Sequence, residues 1–509
     1  MKIITTLCFT SFFIVNVLGQ IAQYPMEVES ILKQSGKNRA ELEKAILHFG
    51  TTKDTLKLKA VYFLIANMNI HSSANYYWAD SLNKPLPFNE LSYPTFEASL
   101  KVFEEVKKKT PGIHPVPVKY WDIDSIKGDF LIDNVERAFE AWKKPWAKSI
   151  PFDMFCEYIL PYRISIEPLQ NWRSSYMRQF ESTYDSISQK IYSDWSPFLK
   201  RDLQHWFTNT YGIEGRKEPL PRLGAMQLLF RKKGPCEDIA DLEIFILRSQ
   251  GFPATIDYVP YWATSSGKHW LNVSFDQDFK PHPFDAASPN TDDSKLEREP
   301  AKVLRTTFSA QKGTVTDYSP ADSIPEGFMR HQNYLDVTSE YWQVKDVKCA
   351  LFPSKNRQKV VFACVFNYLD WRPAWWGLVK NDSVNFTNMC KGAVYLPMDY
   401  RKGKLKAVGY PIVSGYTSSL VLKPDIMNKR TINIREHEKI LAFRPGKKYS
   451  LYYWENGWKG LGAKIATKST IELVFENVPK NALLLLIPEY SQHKERPFMV
   501  TDAGERVWW

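Results

Sequence analysis

The chain has 509 residues, 44% of them hydrophobic, and this length allows roughly three domains with ordinary buried cores. Charged residues make up 24% of the chain, an ordinary share for a folded protein, which excludes a largely disordered polypeptide. The formal charge is +11, but the excess Lys and Arg residues are spread along the chain. Because the sequence lacks the focused basic patch of a nucleic-acid-binding protein, we predict no nucleic-acid partner.

The first 19 residues are typical of a signal peptide. Lys2 supplies a short basic start, and residues 3–18 are mainly apolar. Small residues precede a cleavage point between Gly19 and Gln20. An apolar stretch of about 16 residues is shorter than the roughly 20 that a membrane-spanning helix requires. We therefore predict a protein exported to the periplasm or the extracellular space, with no transmembrane segment.

The pattern of apolar and polar residues changes twice along the remaining chain. Residues 20–150 are predicted to be mainly helical, because apolar residues recur there at helical spacing, as at Leu42, Ala45, Ile46 and Phe49. Residues 151–330 have a mixed α/β pattern, within which residues 288–325 are polar and rich in turn formers and are interpreted as a surface connection. Residues 331–509 show short apolar runs separated by turn residues, which predicts one or two β-sandwich domains. The predicted fold class is α+β.

Five cysteines remain once the predicted signal peptide, with Cys8, is removed. An odd number leaves at least one thiol free or paired between chains. The sequence leaves open the pairing of Cys156, Cys349, Cys364 and Cys390, although Cys349 and Cys364 lie on strand-like runs that could face each other. Their spacing fits no zinc-ligand pattern, and we predict neither a metal nor an organic cofactor. The oligomeric state is left open.

Cys236 lies at the start of a predicted helix. Gly-Pro precedes it, an apolar stripe at helical spacing follows it to about Arg248, and Gly251 and Pro253 end the pattern. The unpaired N–H groups and the dipole of a first helical turn favour a thiolate and can hold an oxyanion. These features predict a cysteine nucleophile.

A histidine and an aspartate follow on strand-like runs. Alternation along residues 268–275 places His269 on the same face as Leu271 and Val273, which we expect to pack on the preceding helix. Asp285 ends a second short run, where its carboxylate would accept a hydrogen bond from the imidazole. We predict that Cys236 is the nucleophile, His269 the base and Asp285 the group that orients the base.

These segments together resemble the transglutaminase-like superfamily. In that family G-x-C opens a helix, R-x-x-G-[IF]-P-A closes it, a strand carries the histidine and D-x-[AT] follows; here these elements fall at 234–236, 248–254, His269 and 285–287. The resemblance implies a papain-like α+β core that performs acyl transfer at amide carbonyls, and the whole chain is similar to exported bacterial members with a C-terminal β-domain.

The resemblance also implies a side-chain donor for the oxyanion upstream of the cysteine, for which Gln227 and Trp206 are the candidates. Trp270, Arg163 and Glu167 are candidates for the substrate cleft, and the last two could instead pair and hold the N-terminal region on the core. We expect hydrolysis rather than cross-linking, because no amine-binding site can be identified, with a peptide, cell-wall peptide or glycoprotein as substrate. The alternative is a non-catalytic protein that binds glycan or peptide on the same scaffold, as the Trp-rich β-region would suit.

Overall fold

The computed structural model describes residues 24–185, 206–210, 219–276, 278–287, 296–437 and 440–509. The predicted signal peptide lies outside these residues. Within the described ranges, no helix combines the length and the apolar character needed to cross a membrane. A helical N-terminal region, a mixed core and C-terminal antiparallel sheets follow one another along the chain, and this confirms the predicted α+β class.

Helices dominate the N-terminal region: α1 (Met26–Gln34), α2 (Arg39–Thr51), α3 (Thr55–Ala66), α4 (Phe96–Lys109), α5 (Asp122–Ser125), α6 (Gly128–Trp142) and α7 (Phe152–Tyr158). The apolar stripe predicted on α2 is buried against α3 and α6.

A small sheet in the same region was not predicted: β1 (Ser72–Ala79), β2 (Pro85–Leu86) and β3 (His114–Trp121), in the order β2-β1-β3. Pro115 and Pro117 are unfavourable in a strand because proline has no N–H to donate. However, β3 is an edge strand, where a missing N–H donor costs little.

The core consists of α8 (Arg173–Asp185), β4 (Thr208–Asn209), α9 (Ala225–Arg231), β5 (Lys233–Gly234), α10 (Cys236–Ser249), β6 (Ala254–Val259), β7 (His269–Phe275), β8 (Pro281–Phe284), β9 (Leu304–Thr306), β10 (Tyr334–Asp336) and α11 (Thr338–Tyr341). An antiparallel sheet in the order β10-β9-β6-β7-β8 packs against α10. The segment interpreted as a surface connection thus contributes β9 to this sheet. Gly251 ends α10 with a φ of +86°, and a Cβ there would lie 2.3 Å from the carbonyl oxygen of Ala141.

In its described residues, the C-terminal region has three antiparallel sheets. The first contains β11 (Val344–Ala350), β12 (Val360–Asn367), β13 (Asp370–Lys380), β14 (Ser383–Cys390), β15 (Ala393–Arg401), β16 (Lys404–Ala407), β17 (Ile412–Ser414) and β18 (Ser419–Val421). The second pairs β19 (Asp425–Arg435) with β22 (Glu472–Lys480). The third contains β20 (Lys448–Trp454), β21 (Trp458–Ile465), β23 (Leu484–Pro488), β24 (Phe498–Val500) and β25 (Arg506–Trp508).

The third sheet lies between the other two. Leu484 and Leu486 pack with the β19–β22 pair, while Leu485 packs with the eight-stranded sheet, because alternate residues of a strand point to opposite faces. All five described cysteines are free thiols. Cys349 and Cys364 belong to separate apolar clusters, so these two do not face each other.

Candidate active site

The first residue of α10 is Cys236, with Pro235 as its N-cap. The first backbone bonds of the helix run from the N–H groups of Asp238 and Ile239 to the carbonyl oxygen of Pro235, at 2.9 and 3.2 Å. The N–H groups of Cys236 and Glu237 therefore lie outside the helical ladder, where they can serve an oxyanion.

The sulfur of Cys236 lies among negative charges. Its Sγ donates a hydrogen bond to Oε2 of Glu237 at 3.5 Å. The pKa of Cys236 is raised to about 12, chiefly by removal from water and then by the carboxylates of Glu237 and Asp285, against the lowering effect of a backbone hydrogen bond from Trp270. The expectation of a stabilised thiolate is therefore wrong for this resting arrangement, because burial and two nearby anions outweigh the helix start.

His269 and Asp285 form a direct hydrogen bond. Nε2 of the imidazole lies 2.8 Å from Oδ2 of the carboxylate, whose Oδ1 accepts from the N–H of Ala287 at 2.8 Å. An ionised carboxylate only accepts, so Nε2 carries the hydrogen and Nδ1 keeps the lone pair. Nδ1 is thus the nitrogen that can receive a proton. Trp262 stacks beside the imidazole, with ring centroids 6.0 Å apart.

The face of β7 that meets α10 differs from the expectation. Trp270 packs with the cluster that contains α10, and Asn272 bonds to that helix, whereas Leu271 packs in a different cluster. The helix therefore covers the side chains that alternate with His269. The sulfur meets the strand at the backbone of Trp270, one residue beyond His269, and among the described residues no hydrogen bond joins Sγ to the imidazole.

Asn272 holds three pieces of the site together and was not predicted as a site residue. Its Nδ2 donates to the carbonyl oxygen of Ala240 in α10 at 2.8 Å, and its Oδ1 accepts from the N–H of Ala286 at 3.4 Å. The residue is fully buried. One side chain of β7 therefore ties the cysteine helix to the turn that carries the aspartate. The available signal was an amide side chain between the apolar residues Leu271 and Val273.

The loop of residues 262–268, just before His269, is held by the C-terminal region. Nδ2 of Asn367 contacts the carbonyl oxygens of Trp262, Ser265 and Gly267 at 3.0–3.1 Å, and its Oδ1 accepts from the N–H of Gly267 at 3.1 Å. Arg496 also donates to the carbonyl oxygen of Ala263. No local sequence motif could have found these contacts, because the partners are 100 or more residues apart.

The two oxyanion candidates differ in their surroundings. Gln227 caps α9, since its Oε1 accepts from the N–H of Gly224 at 2.8 Å, and its Nε2 donates to Glu90 at 2.7 Å. These contacts assign Gln227 a structural role. Trp206 packs edge-on against Phe180, with centroids 5.6 Å apart, and leads into β4, which pairs in parallel with β5 just before the cysteine. Trp206 remains the upstream candidate.

Arg163 and Glu167 do not pair through their side chains. Arg163 is buried and donates to both carboxylate oxygens of Asp122 at 2.7 Å. Glu167 accepts from the N–H groups of Ile164 and Ser165 at 2.7 and 2.8 Å. Both residues therefore hold the loop 164–166 in shape, and that loop lines a cavity beside the site.

The cavity has a volume of about 280 Å³ and is lined by residues next in sequence to the candidate nucleophile and the candidate base. Glu237, which accepts from Sγ, lines it together with Lys268 and Trp270, the two residues that flank His269 in sequence. Trp270 is therefore the one cleft candidate that itself lines the cavity. In the part of the chain that the structure describes, no group of three or more His, Cys, Asp or Glu side chains is arranged to hold a metal ion.

Comparison with known families adds one result to this geometry. Residues 199–286 match the model of the transglutaminase-like superfamily core, and this match covers about a sixth of the chain. The matched range includes Cys236, His269 and Asp285. The chain thus contains a transglutaminase-like core, a domain typical of cysteine-dependent amide hydrolases and transferases. A search of curated proteins found no match.

Proposed function

We propose that this protein is a cysteine-dependent enzyme that cleaves amide bonds by acyl transfer. The observation that carries the proposal is the 2.8 Å hydrogen bond between His269 and Asp285 at the end of the strand whose backbone bonds to the sulfur of Cys236. A base oriented by a carboxylate beside a thiol is the arrangement that nucleophilic acyl transfer requires.

The reaction has two halves. Sγ of Cys236 attacks the amide carbonyl carbon while Nδ1 of His269 takes the thiol proton, and the developing oxyanion faces the free N–H groups at the start of α10. The tetrahedral intermediate expels the amine, which receives the proton from His269, and a thioester remains. Water then attacks the thioester, His269 takes its proton, and the thiol and a carboxylic acid are released.

The base acts during the reaction rather than before it. Because the pKa of Cys236 is raised to about 12, the resting sulfur is a neutral thiol bonded to Glu237. Substrate binding must therefore turn the sulfur from Glu237 toward His269, where proton removal and attack occur together. Trp206 is the proposed side-chain contributor to the oxyanion site.

Substrate, partners and location are proposed on sequence grounds. We favour hydrolysis over cross-linking, with a peptide, cell-wall peptide or glycoprotein as substrate. The signal-peptide pattern of residues 1–19 supports export to the periplasm or the extracellular space.

A second candidate is a non-catalytic protein that binds glycan or peptide. The observation in its favour is the neutral thiol, whose hydrogen bond goes to Glu237 and not to the imidazole. A transglutaminase-like scaffold that had lost turnover would tolerate such an arrangement.

Mass analysis of reaction products separates the two candidates. Wild type and Cys236→Ala are incubated with peptide, glycopeptide and amine-donor libraries, with Cys156→Ala as a control that removes another thiol outside the site. We expect cleaved products from wild type and Cys156→Ala alone, and incorporated amine would indicate transamidation. Identical product profiles for wild type and Cys236→Ala would remove the enzymatic proposal.

A further inference from the structure

The cavity beside Cys236 is the size of a site for a short segment of substrate. Its volume of about 280 Å³ lies near the lower end of small-ligand pockets, which is about 300 Å³. The residues that connect it to the chemistry are Glu237, Lys268 and Trp270. A substrate bound with its amide at the sulfur would therefore place a neighbouring group in this cavity.

Most of the wall is apolar and uncharged. Ile70, Ile164 and Ile256 contribute aliphatic surface, and Phe328 adds an aromatic ring. Two histidines also line the cavity, but burial lowers the pKa of His71 to about 3 and also lowers the pKa of His331, so both are neutral at pH 7. The charge of the cavity is consequently set by a few other side chains.

Arg222 is the buried cation of the wall. It is only 6% exposed, and its Nη2 is paired with the carboxylate of Asp241 in α10. Its Nε and Nη1 have no hydrogen-bond partner in the described part of the chain. Buried guanidinium nitrogens are normally satisfied, so two unpaired ones on a residue that lines the cavity point to a missing acceptor.

The pair with Asp241 does not cancel the charge of Arg222 completely. Burial raises the pKa of Asp241 to about 7, so near neutral pH part of the population carries a protonated acid beside the guanidinium. Lys268 adds a second cation, with Nζ 4.3 Å from the ring centroid of Trp270, while Cζ of Arg222 lies 5.4 Å from the same centroid. Two cations therefore border one aromatic wall of the cavity.

Glu237 is the opposing charge in the wall. Its Oε1 lies 3.7 Å from Nζ of Lys268, and its Oε2 accepts from the thiol. Lys268 offsets this carboxylate. Arg222 is the other cation of the wall, and the carboxylates of Asp241, Glu237 and Asp238 act on it.

We propose that the cavity binds a substrate group with an apolar body and a terminal carboxylate, and that Arg222, assisted by Lys268, recognises the carboxylate. An acidic peptide provides this chemistry through a side chain or through a free C-terminus. The inference rests on the proposed function, since it takes the cavity as the place of the group next to the cleaved amide. Guanidinium–carboxylate hydrogen bonds are among the stronger ones in proteins, and they discriminate sharply against a neutral amide.

Binding to Cys236→Ala tests the proposal without requiring turnover. Calorimetry compares two matched pairs of N-acetylated peptides: one pair with internal Glu or Gln, and one with a free or amidated C-terminus. We expect the carboxylate member of at least one pair to bind about tenfold more tightly or better, and the pair that responds identifies the source of the carboxylate. Equal affinities in both pairs, or no saturable binding, would overturn the proposal.

Variants of the wall provide the second measurement. Arg222→Gln alone would leave Asp241 buried without its partner, so Arg222→Gln is combined with Asp241→Asn to remove both charges together. We expect this double variant to lose the carboxylate preference and Lys268→Gln to weaken it. Arg435→Gln, an exposed arginine of the β-region, should retain it. An unchanged preference in a folded double variant would contradict the assignment of Arg222.

The outcome also separates this inference from the enzymatic proposal. Carboxylate-selective binding by Cys236→Ala, with no product formed by wild type, would support the cavity assignment and remove the enzyme. Cleavage by wild type with equal rates on the Glu and Gln peptides and on both C-terminal forms would support the enzyme and remove the carboxylate site.

Discussion

The cysteine and the histidine of the candidate site are held by different parts of the chain. Cys236 depends on nearby structure, since α10 begins at it and β5, paired with β4, leads into it. His269 follows the loop 262–268, whose carbonyl groups accept hydrogen bonds from Asn367 and Arg496 of the C-terminal region. Asn272 lies between them and connects α10 with the aspartate turn.

Through these hydrogen bonds, the C-terminal region contributes to the structure of the candidate site. A nucleophile at a helix start is positioned by the helix itself, whereas a base that follows a loop takes its position from whatever fixes that loop. The β-region therefore holds the loop that precedes His269, the proposed base. The site therefore has a Cys half, which is the start of α10 with Cys236, and a His half, which is the loop 262–268 with His269. Variants can be chosen that act on one half or on both.

The largest effect is expected from His269→Gln. Loss of the proton acceptor should lower kcat by about 100- to 10,000-fold, the range of general-base contributions. The pKa of Cys236 depends on burial and on nearby carboxylates, so its alkylation rate at pH 9 should change little. Steady-state kinetics measure kcat, and iodoacetamide labelling measures the alkylation rate of Cys236. Unchanged kcat would show that the His half has no part in the chemistry.

Asn272→Ala should weaken both halves together. The carbonyl of Ala240 lies within α10 and keeps its helical partner, but the substitution leaves the N–H of Ala286 without a partner in the interior, and the free energy of unfolding should fall by about 1–3 kcal/mol. Denaturant unfolding measures this. Ser274→Ala, a change at a buried residue two positions along the same face, is the control and should cost less than about 1 kcal/mol. Equal losses would contradict the bridging role.

Asn367→Ala should act on the His half alone. Without its contacts the 262–268 loop loosens, and kcat should fall about tenfold through misplacement of the base. Labelling of Cys236 should stay as in wild type. Asn385→Ala, at an exposed asparagine of the same region, is the matched control. If kcat is unchanged in Asn367→Ala, the β-region does not position the base.

Glu237→Gln should act mainly on the Cys half and gives the smallest effect, although it also removes the carboxylate that pairs with Lys268. The substitution removes a negative charge and a carboxylate acceptor from the sulfur, so the pKa of Cys236 should fall from its raised value of about 12. The thiolate fraction at pH 8 then increases, about tenfold for each pH unit by which the pKa falls. Labelling rates against pH measure the change, with the exposed Glu476→Gln as control. A labelling profile identical to wild type would show that Glu237 does not restrain the thiol.

Local patterns predicted much of the core correctly. Helix α10 begins at Cys236 and ends at Ser249, close to the predicted end at Arg248, and β7 and β8 lie on the predicted strand-like runs. Hydrophobic periodicity and Gly-Pro boundaries act over a few residues, so they can be read without knowledge of the packing. The catalytic roles of the three side chains remain predictions.

Several elements could not be predicted because their stability comes from partners. Strand β3 contains two prolines and is possible because it is an edge strand of its sheet, and β9 lies in a polar segment but pairs with β6 and β10. The prediction that the face of β7 with His269 and Leu271 packs on α10 was also wrong. Residues 269–275 are largely buried on both sides, so alternation of apolar residues does not indicate which side the helix covers.

The order of residues along the chain was enough to identify a cysteine at a helix start, a histidine on a following strand, an aspartate directly after the next strand, and the antiparallel C-terminal region. Folding in three dimensions set the state of the thiol, the clamp of Asn367 on the loop before His269, and the cavity with Arg222 in its wall. The reason is physical. Helix and strand signals arise from neighbours in sequence, whereas desolvation and polar contacts depend on groups brought together from 100 or more residues away.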